Sequence, residues 1–289
     1  MKLKVALPKG SLQEMSVKLF KRAGYNININ GSSYFPTVDD PEIEMVLIRA
    51  QEIPRYIEEK VIDFGLTGKD WILETKANVV ELGELIYARS GFSKVKWVLA
   101  VPNNSPIQNV NDLEGKTIAT ELVEVTKEYL KKNKVEANVE FSWGATEVKP
   151  PELCDAIVEV TETGSSLKAN NLRIVETLFE STTRIITNKE AFENPWKQEK
   201  MENIMLLLQS ALAAESRVGL MMNVDEKNLK GVLAVLPSMK SPTISKLSEN
   251  GWYDINTIAE EKAVRTLIPK LKKAGACAIV EYPLNKVID

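Results

Sequence analysis

Short apolar runs alternate with amphipathic, helix-patterned stretches along most of this chain, and that alternation limits the fold more than any other feature. LKVALP near the start reads as a buried strand. SLQEMSVKLFKRAG reads as a helix, with Ser11 and Glu14 spaced as a capping box and Gly24 at its C-terminal stop. IEMVLIR is a further strand, QEIPRYIEEK a helix that tolerates Pro54 in its first turn, and VIDFGLTGKDWILETK a strand, glycine turn and helix. From about residue 90 the order restarts with KVKWVLAVP, TIAT, LVEVTKEYLKKN, NVEFSW and CDAIVEV, followed by LRIVETLFE and TTRIITN. Strands alternating with helices imply an α/β architecture with mainly parallel sheets and ligands at the carboxyl ends of the strands. QEKMENIMLLLQSALAAES is the strongest helical pattern. After about residue 212 the order becomes βαββαβ, from RVGLMMNV to ACAIVEYPL, which is the ferredoxin-like order. A chain of 289 residues suits two or three such domains, each with its own core.

Composition removes several kinds of chemistry. The chain has no histidine, which excludes a Ser-His hydrolase and a His-ligated zinc site. Its two cysteines, Cys154 and Cys277, lie in separate apolar runs and read as reduced core residues rather than as thiolate metal ligands. Carboxylates, backbone amides, Lys, Arg or a hard cation must therefore carry any catalysis. A formal charge of −3 and a pI near 5.5 give no global reason to expect nucleic acid or an anionic membrane as partner. The start lacks a signal-peptide core, and no apolar run reaches membrane-spanning length, so the expected location is cytoplasmic.

The stretch EVTETGSSLKANNL follows the apolar run CDAIVEV. Thr163, Gly164, Ser165, Ser166 and Leu167 fall where a helix should begin, so their backbone N–H groups lack intrahelical partners and attract phosphate. Gly164 lets the backbone turn and approach a ligand, and Lys168 could add charge from the first turn. Glu159 would repel phosphate, yet suits the hydroxyls of a ribose beside it. The alternative is that Thr163 or Ser165 only caps a short helix and Glu159 is a solvated strand end. The loop taken alone leaves both readings open.

DAIVEVTETGSSLKANNL (155–172) closely resembles the phosphoribosyl pyrophosphate loop of the ATP phosphoribosyltransferase family. The similarity extends through LPKGSL, IRAQEIPRYIEEKVIDFGLTGKD, DLEGKTIAT, GATEVKPPELCDAIVE, STTRIITN, MKSPTISKL and KKAGACAIV, nearly the whole length. A βαββαβ tail is what distinguishes the family's long form. The resemblance implies a bilobal catalytic part like type II periplasmic binding proteins, with residues 1–89 and 181–211 as lobe I and 90–180 as lobe II. Residues 212–289 would form a regulatory domain that binds histidine. The implied reaction is attack of ATP N1 on C1 of phosphoribosyl pyrophosphate, with Mg²⁺ carried on the departing pyrophosphate.

By the same resemblance, Glu159, Thr161, Glu162, Thr163, Gly164, Ser165, Ser166 and Leu167 bind the sugar and its 5-phosphate, Glu159 standing where the family more often has Asp. Lys9, Ser11, Arg49, Asp70 and Glu147 match the ATP and pyrophosphate cleft, and Ser11 replaces an Arg that many members carry. A surface ion pair or helix cap is the alternative for Arg49 and Asp70. In the tail, Asn223 aligns with a position where some relatives use Asp to hold histidine, with Asp225, Thr243 and Ala278 nearby; alternatively Asn223 only ends a strand. The resemblance also implies histidine and AMP as inhibitors and a homohexamer exchanging with dimers. It names no general base. The competing readings are a solute-binding or non-catalytic ligand-binding protein, and an enzyme like prephenate dehydratase, which shares the bilobal plan and βαββαβ tail.

Overall fold

Leu3, Val5, Ala6 and Leu7 are fully buried in β1 (Leu3–Lys9), which places this strand inside a sheet covered on both faces. The computed structural model describes residues 1–31, 33–88, 91–236 and 241–288. Residues 89 and 90, at the expected lobe boundary, and Met239 and Lys240 of the MKSPTISKL motif lie outside the described residues. The chain divides into two compact units, Met1–Lys21 with Tyr25–Met205 and Arg22–Gly24 with Leu206–Asp289.

In the first unit β1 is followed by α1 (Gln13–Ala23), the small pair β2 (Ile27–Asn28) and β3 (Thr37–Val38), β4 (Ile43–Arg49) and α2 (Ile53–Glu58). β5 (Phe64–Gly68), α3 (Lys69–Thr75) and β6 (Val80–Leu85) come next. The chain then builds β7 (Val95–Pro102), β8 (Thr117–Thr120), α4 (Val123–Asn133), β9 (Asn138–Phe141), β10 (Ala156–Thr161), α5 (Ser165–Ala169) and β11 (Leu172–Ser181). It ends with β12 (Thr183–Thr187), α6 (Lys189–Glu193) and α7 (Pro195–Ala214), the last of which runs on into the second unit.

Two five-stranded sheets result, ordered β4-β1-β5-β12-β6 and β11-β7-β10-β8-β9. They are mixed rather than mainly parallel. β1 runs parallel to β4 and β5, and β8 parallel to β9 and β10. β12 runs against β5 and β6, and β7 against β10 and β11. The reason is connectivity: β7 and β12 are the strands by which the chain arrives from the other sheet, so no crossover helix turns them around. Counted within each lobe, both sheets have the order second, first, third, arriving, fourth. This shared order makes the first unit bilobal, with one sheet in each lobe.

Local details depart from the sequence expectation. α1 begins at Gln13, whose N–H bonds to the Gly10 carbonyl at 3.1 Å, so the Ser11–Glu14 capping box is not formed. The backbone turns at Gly10 (φ +113°) and delivers Ser11 to a cavity instead. β10 continues two residues past Glu159, and Cys154 precedes that strand rather than lying in it. β6 and the β2–β3 pair carry too weak an apolar alternation to be read beforehand.

The second unit contains β13 (Arg217–Asp225), α8 (Leu229–Val235), β14 (Thr243–Lys246), β15 (Trp252–Glu260), α9 (Glu261–Lys273) and β16 (Cys277–Pro283). Its sheet order is β14-β15-β13-β16, with every neighbouring pair antiparallel. This is the ferredoxin-like arrangement. Leu220, Met222 and Val224 point to one face and pack with Val232 of α8 and Val264, Leu267 and Leu271 of α9. The alternate face bears Gly219, Met221 and Asn223. Gly275 links α9 to β16 at φ +103°, and a Cβ there would stand 2.5 Å from Asn228 Cγ. Gly275→Ala is expected to destabilise this unit by about 1–3 kcal/mol through overpacking and backbone strain. Thermal unfolding of the variant measures it, and an unchanged midpoint would contradict this account of the turn.

Candidate active site

Parallel register places Lys9 beside Arg49 at the carboxyl ends of β1 and β4. Lys9 Nζ lies 3.5 Å from the centroid of the Tyr34 ring, a cation–π contact, while Arg49 is exposed and has no ion pair among the described residues. In the second sheet Val158 of β10 pairs with Thr120 of β8, which brings Glu159 and Glu121 next to one another just beyond. A cavity of about 390 Å³ separates the two sets of strand ends. Lys9, Ser11, Arg49 and Asp70 line it from one lobe, and Glu121, Thr161 and Glu162 from the other.

Asp70 does not behave as a surface ion pair. It is 6% exposed, and both carboxylate oxygens accept from protein donors: Oδ1 from the Trp71 N–H at 3.0 Å and Oδ2 from the Trp97 indole at 2.8 Å. Its own N–H donates to Ser181 Oγ at 3.1 Å, and the preceding Lys69 N–H donates to the Thr182 carbonyl at 2.9 Å. The start of α3 thus clasps the residues where the chain returns from β11 to β12, and reaches Trp97 on β7. Burial pushes the Asp70 carboxyl above its ordinary range, against the pull of the Trp97, Trp71 and Ser181 hydrogen bonds. A Cβ on Gly68 would fall 1.9 Å from Asp70 Oδ1, so only glycine fits there with this carboxylate in place.

The predicted phosphate loop forms a short turn into α5. Gly164 is its N-cap residue at φ +76°, with its N–H on Thr161 Oγ1 at 2.8 Å and no side-chain cap. Thr163 Oγ1 donates to Ser165 Oγ at 2.9 Å. The N–H groups of Ser166 and Leu167 have no protein partner among the described residues. The Leu167 side chain is buried and anchors the turn, so only its backbone faces outward. Ser166 Oγ donates to Glu147 at 2.7 Å, which brings the GATE turn against the loop. Glu147, Glu159 and Thr163–Leu167 are not among the residues that line the cavity.

Glu159 is no solvated strand end. Burial, reinforced by the nearby charges of Glu121 and Glu147, raises its pKa from 4.5 to about 7, against hydrogen bonds from the Val160 N–H and the Thr146 side chain. Glu121 was absent from the sequence reading, although an acid directly after TIAT carried the same signal as Glu159: a carboxylate at a strand's carboxyl end. Trp97 also went unread, because in sequence its apolar strand looks like ordinary core.

In the second unit Asn223 does not end its strand: β13 runs on to Asp225. Asn223 pairs with Asp254, which pairs with Ser245, and Thr243 shares their face two residues along from Ser245. Asp225 Oδ1 accepts the Asn228 N–H at 2.9 Å. Ala278 takes φ +46° where the β13–β16 register shifts beside Asn223.

Two α/β lobes with a phosphate-type loop and a cationic strand-end pair beside one cavity, followed by a ferredoxin-like module, define a bilobal α/β protein with a regulatory-type tail, suited to an anionic ligand. Residues 49–210 match the family model described as ATP phosphoribosyltransferase, and residues 214–286 match that of the HisG C-terminal domain. The chain is 61% identical to an ATP phosphoribosyltransferase from Thermodesulfovibrio yellowstonii, covering 99% of this chain and 98% of the relative. It is 58% identical to one from Chlorobaculum parvum over the same shares, 99% and 98%. Among solved structures it resembles the ATP phosphoribosyl transferase (HisG:HisZ) complex from Thermotoga maritima. That match has TM-score 0.61 and 26% identity, covering 72% of this chain and 98% of that one. The chain belongs to the ATP phosphoribosyltransferase family, in its long form with the C-terminal domain. It catalyses the condensation of ATP with phosphoribosyl pyrophosphate that begins histidine biosynthesis, and the family requires a divalent metal.

Two outcomes check the geometry. Trp97→Phe removes the donor to buried Asp70 and is expected to destabilise the protein by about 1–3 kcal/mol. Adding Asp70→Asn should cost less than the sum of the two single changes. Denaturant unfolding measures both, and strict additivity would contradict the pairing. Because Glu159 binds its proton more tightly folded than unfolded, the wild type loses stability as pH rises from 4.5 to about 7. The melting temperature of Glu159→Gln relative to wild type should therefore climb across that window, and a flat difference would refute the shift.

Proposed function

We propose that the cavity between the two lobes is where ATP N1 meets C1 of phosphoribosyl pyrophosphate. The observation that carries this is the register pairing of Lys9 with Arg49, two cations facing Thr161 and Glu162 of the phosphate-type loop across one cavity. The N–H groups of Ser166 and Leu167, with the Thr163 hydroxyl, hold the 5-phosphate. Glu159 accepts from the ribose hydroxyls, and its tendency to hold a proton reduces its repulsion of the phosphate. Thr161 shapes the loop through the Gly164 N–H, and Glu147 positions Ser166. Lys9 and Arg49 lie on the nucleotide and pyrophosphate side, where Ser11 contributes a hydroxyl rather than a charge.

Displacement at an anomeric carbon develops positive charge on the sugar and negative charge on the leaving pyrophosphate, so alignment and charge neutralisation dominate. Among the described residues no group of three or more acidic or cysteine side chains could hold a metal ion. Mg²⁺ serves as the divalent metal, entering on the pyrophosphate as part of the substrate. Residues 1–89 and 181–211 act as lobe I, 90–180 as lobe II, and 212–289 as the domain that binds histidine for feedback inhibition. Asn223, Asp225, Thr243 and Ala278 form the histidine site, with Asn223 a weaker partner for an ammonium group than a carboxylate. The enzyme works in the cytoplasm as a homohexamer exchanging with dimers, and AMP also inhibits it.

The test is a reaction of purified protein with ATP, phosphoribosyl pyrophosphate, Mg²⁺ and pyrophosphatase, read by mass spectrometry for phosphoribosyl-ATP. Gly164→Val should raise the KM for phosphoribosyl pyrophosphate about tenfold or more by disordering the loop amides, with the KM for ATP little changed. An unchanged sugar KM would remove the loop assignment. Added histidine should lower the rate, and Asn223→Asp should lower the concentration needed. Product formation indifferent to histidine would remove the tail assignment and leave the transferase intact.

A further inference from the structure

N1 of adenine attacks as a neutral nitrogen, so forming its bond to C1 places positive charge on the purine. The exocyclic N6 amino group becomes acidic as that charge arrives. A carboxylate within reach of N6 would lower the barrier, and the cavity offers three: Asp70, Glu121 and Glu162. Asp70 is buried at 6% exposure with its oxygens on the Trp71 N–H and the Trp97 indole, whereas Glu121 is only half-buried. Glu162 belongs to the loop assigned above to the sugar. Glu121 remains, and its position is particular. It follows β8 at the carboxyl end, and the next strand, β10, places Glu159 of the ribose side beside it. From the opposite lobe Arg49, Gln51 and Asp70 face it. It therefore stands on the line between the sugar side and the nucleotide side.

We propose that the Glu121 carboxylate is the general base of this transferase, taking a proton from adenine N6 as N1 bonds to the sugar. The inference rests on the assignment of the loop to the phosphoribosyl group. In the step, the N1 lone pair forms the N1–C1 bond. The C1–O bond to pyrophosphate breaks, and its electron pair leaves with pyrophosphate. One proton passes from N6 to Glu121, so the purine ends neutral. Glu121 is half-buried, and burial raises its carboxyl above the ordinary range. The Gly144 N–H, Gln51 and Arg49 pull it down, while Asp70 pushes it up. A base with a raised pKa is better matched to proton transfer near neutral pH.

Single-turnover formation of phosphoribosyl-ATP by the full chain tests this. Glu121→Gln should slow the chemical step about a hundredfold, the lower range of general base effects, while both KM values stay within about threefold. Wild-type rate should fall as pH drops and Glu121 takes its proton; the Gln variant should lose that limb and Glu121→Asp should keep it. Glu159 titrates nearby, so the profile is repeated in Glu159→Gln, where removing Glu121 should flatten the limb that remains. A Glu121→Gln rate within threefold of wild type overturns the proposal. So does a slow variant with an unchanged pH profile, or a raised ATP KM at full rate. If the Gln variant fails to fold, the Asp variant carries the test, and loss of its acid limb overturns the proposal. Gly164→Val separates the failures: an unchanged sugar KM there strikes the loop assignment, whatever Glu121 does.

Discussion

The catalytic part depends on how the start of α3 clasps the place where the chain passes between sheets. Lys69 and Asp70 donate their N–H groups to Thr182 and Ser181, and the Asp70 carboxylate takes the Trp97 indole at 2.8 Å. All three bonds join elements of different sheets or the crossing itself. Each sheet could form its own core without them, since Val98, Leu99 and Ile157 in one and Leu7, Leu47 and Leu66 in the other are fully buried. The bonds instead tie the two sheets together beside the cavity. Burying a carboxylate there is expensive unless it is fully hydrogen-bonded, which is why both oxygens are occupied and why Gly68 leaves room for them.

The cavity lining mixes both signs of charge. Lys9 and Arg49 are opposed by Asp70, Glu121 and Glu162. Both substrates are polyanions, and the divalent metal that the family requires adds positive charge to the two side-chain cations. Burial also softens the acids. Glu159 with a pKa of about 7 is substantially protonated at neutral pH, and Glu121 and Asp70 shift the same way. The acids thus present less than their full charge to the cavity.

Some elements were readable and others were not, for identifiable reasons. β1, β4 and β7 are long apolar runs between clear breakers, and the βαββαβ order of the tail follows from alternating periods two and 3.6. VELGEL, the segment of β6, has two glutamates three positions apart and a glycine, which break the alternation, so its strand state comes from pairing with β12 rather than from propensity. Strand direction was misread because sequence patterning reports how a residue is buried, not from which end its strand enters a sheet. The Ser11–Glu14 capping box was misread because the Gly10 turn starts the helix later.

The same division holds at the site. Local order suffices to specify the turn around Gly164, because a glycine at φ +76° and hydroxyls two or three residues apart interact within one short stretch. Absence of histidine likewise settles, with no structure, that no imidazole takes part. The pairing of Lys9 with Arg49, of Glu121 with Glu159 and of Asp70 with Trp97 joins residues 27 to 40 positions apart. Those meetings belong to tertiary structure alone, since register and crossing set them, and neither leaves a mark in the composition of the segments concerned.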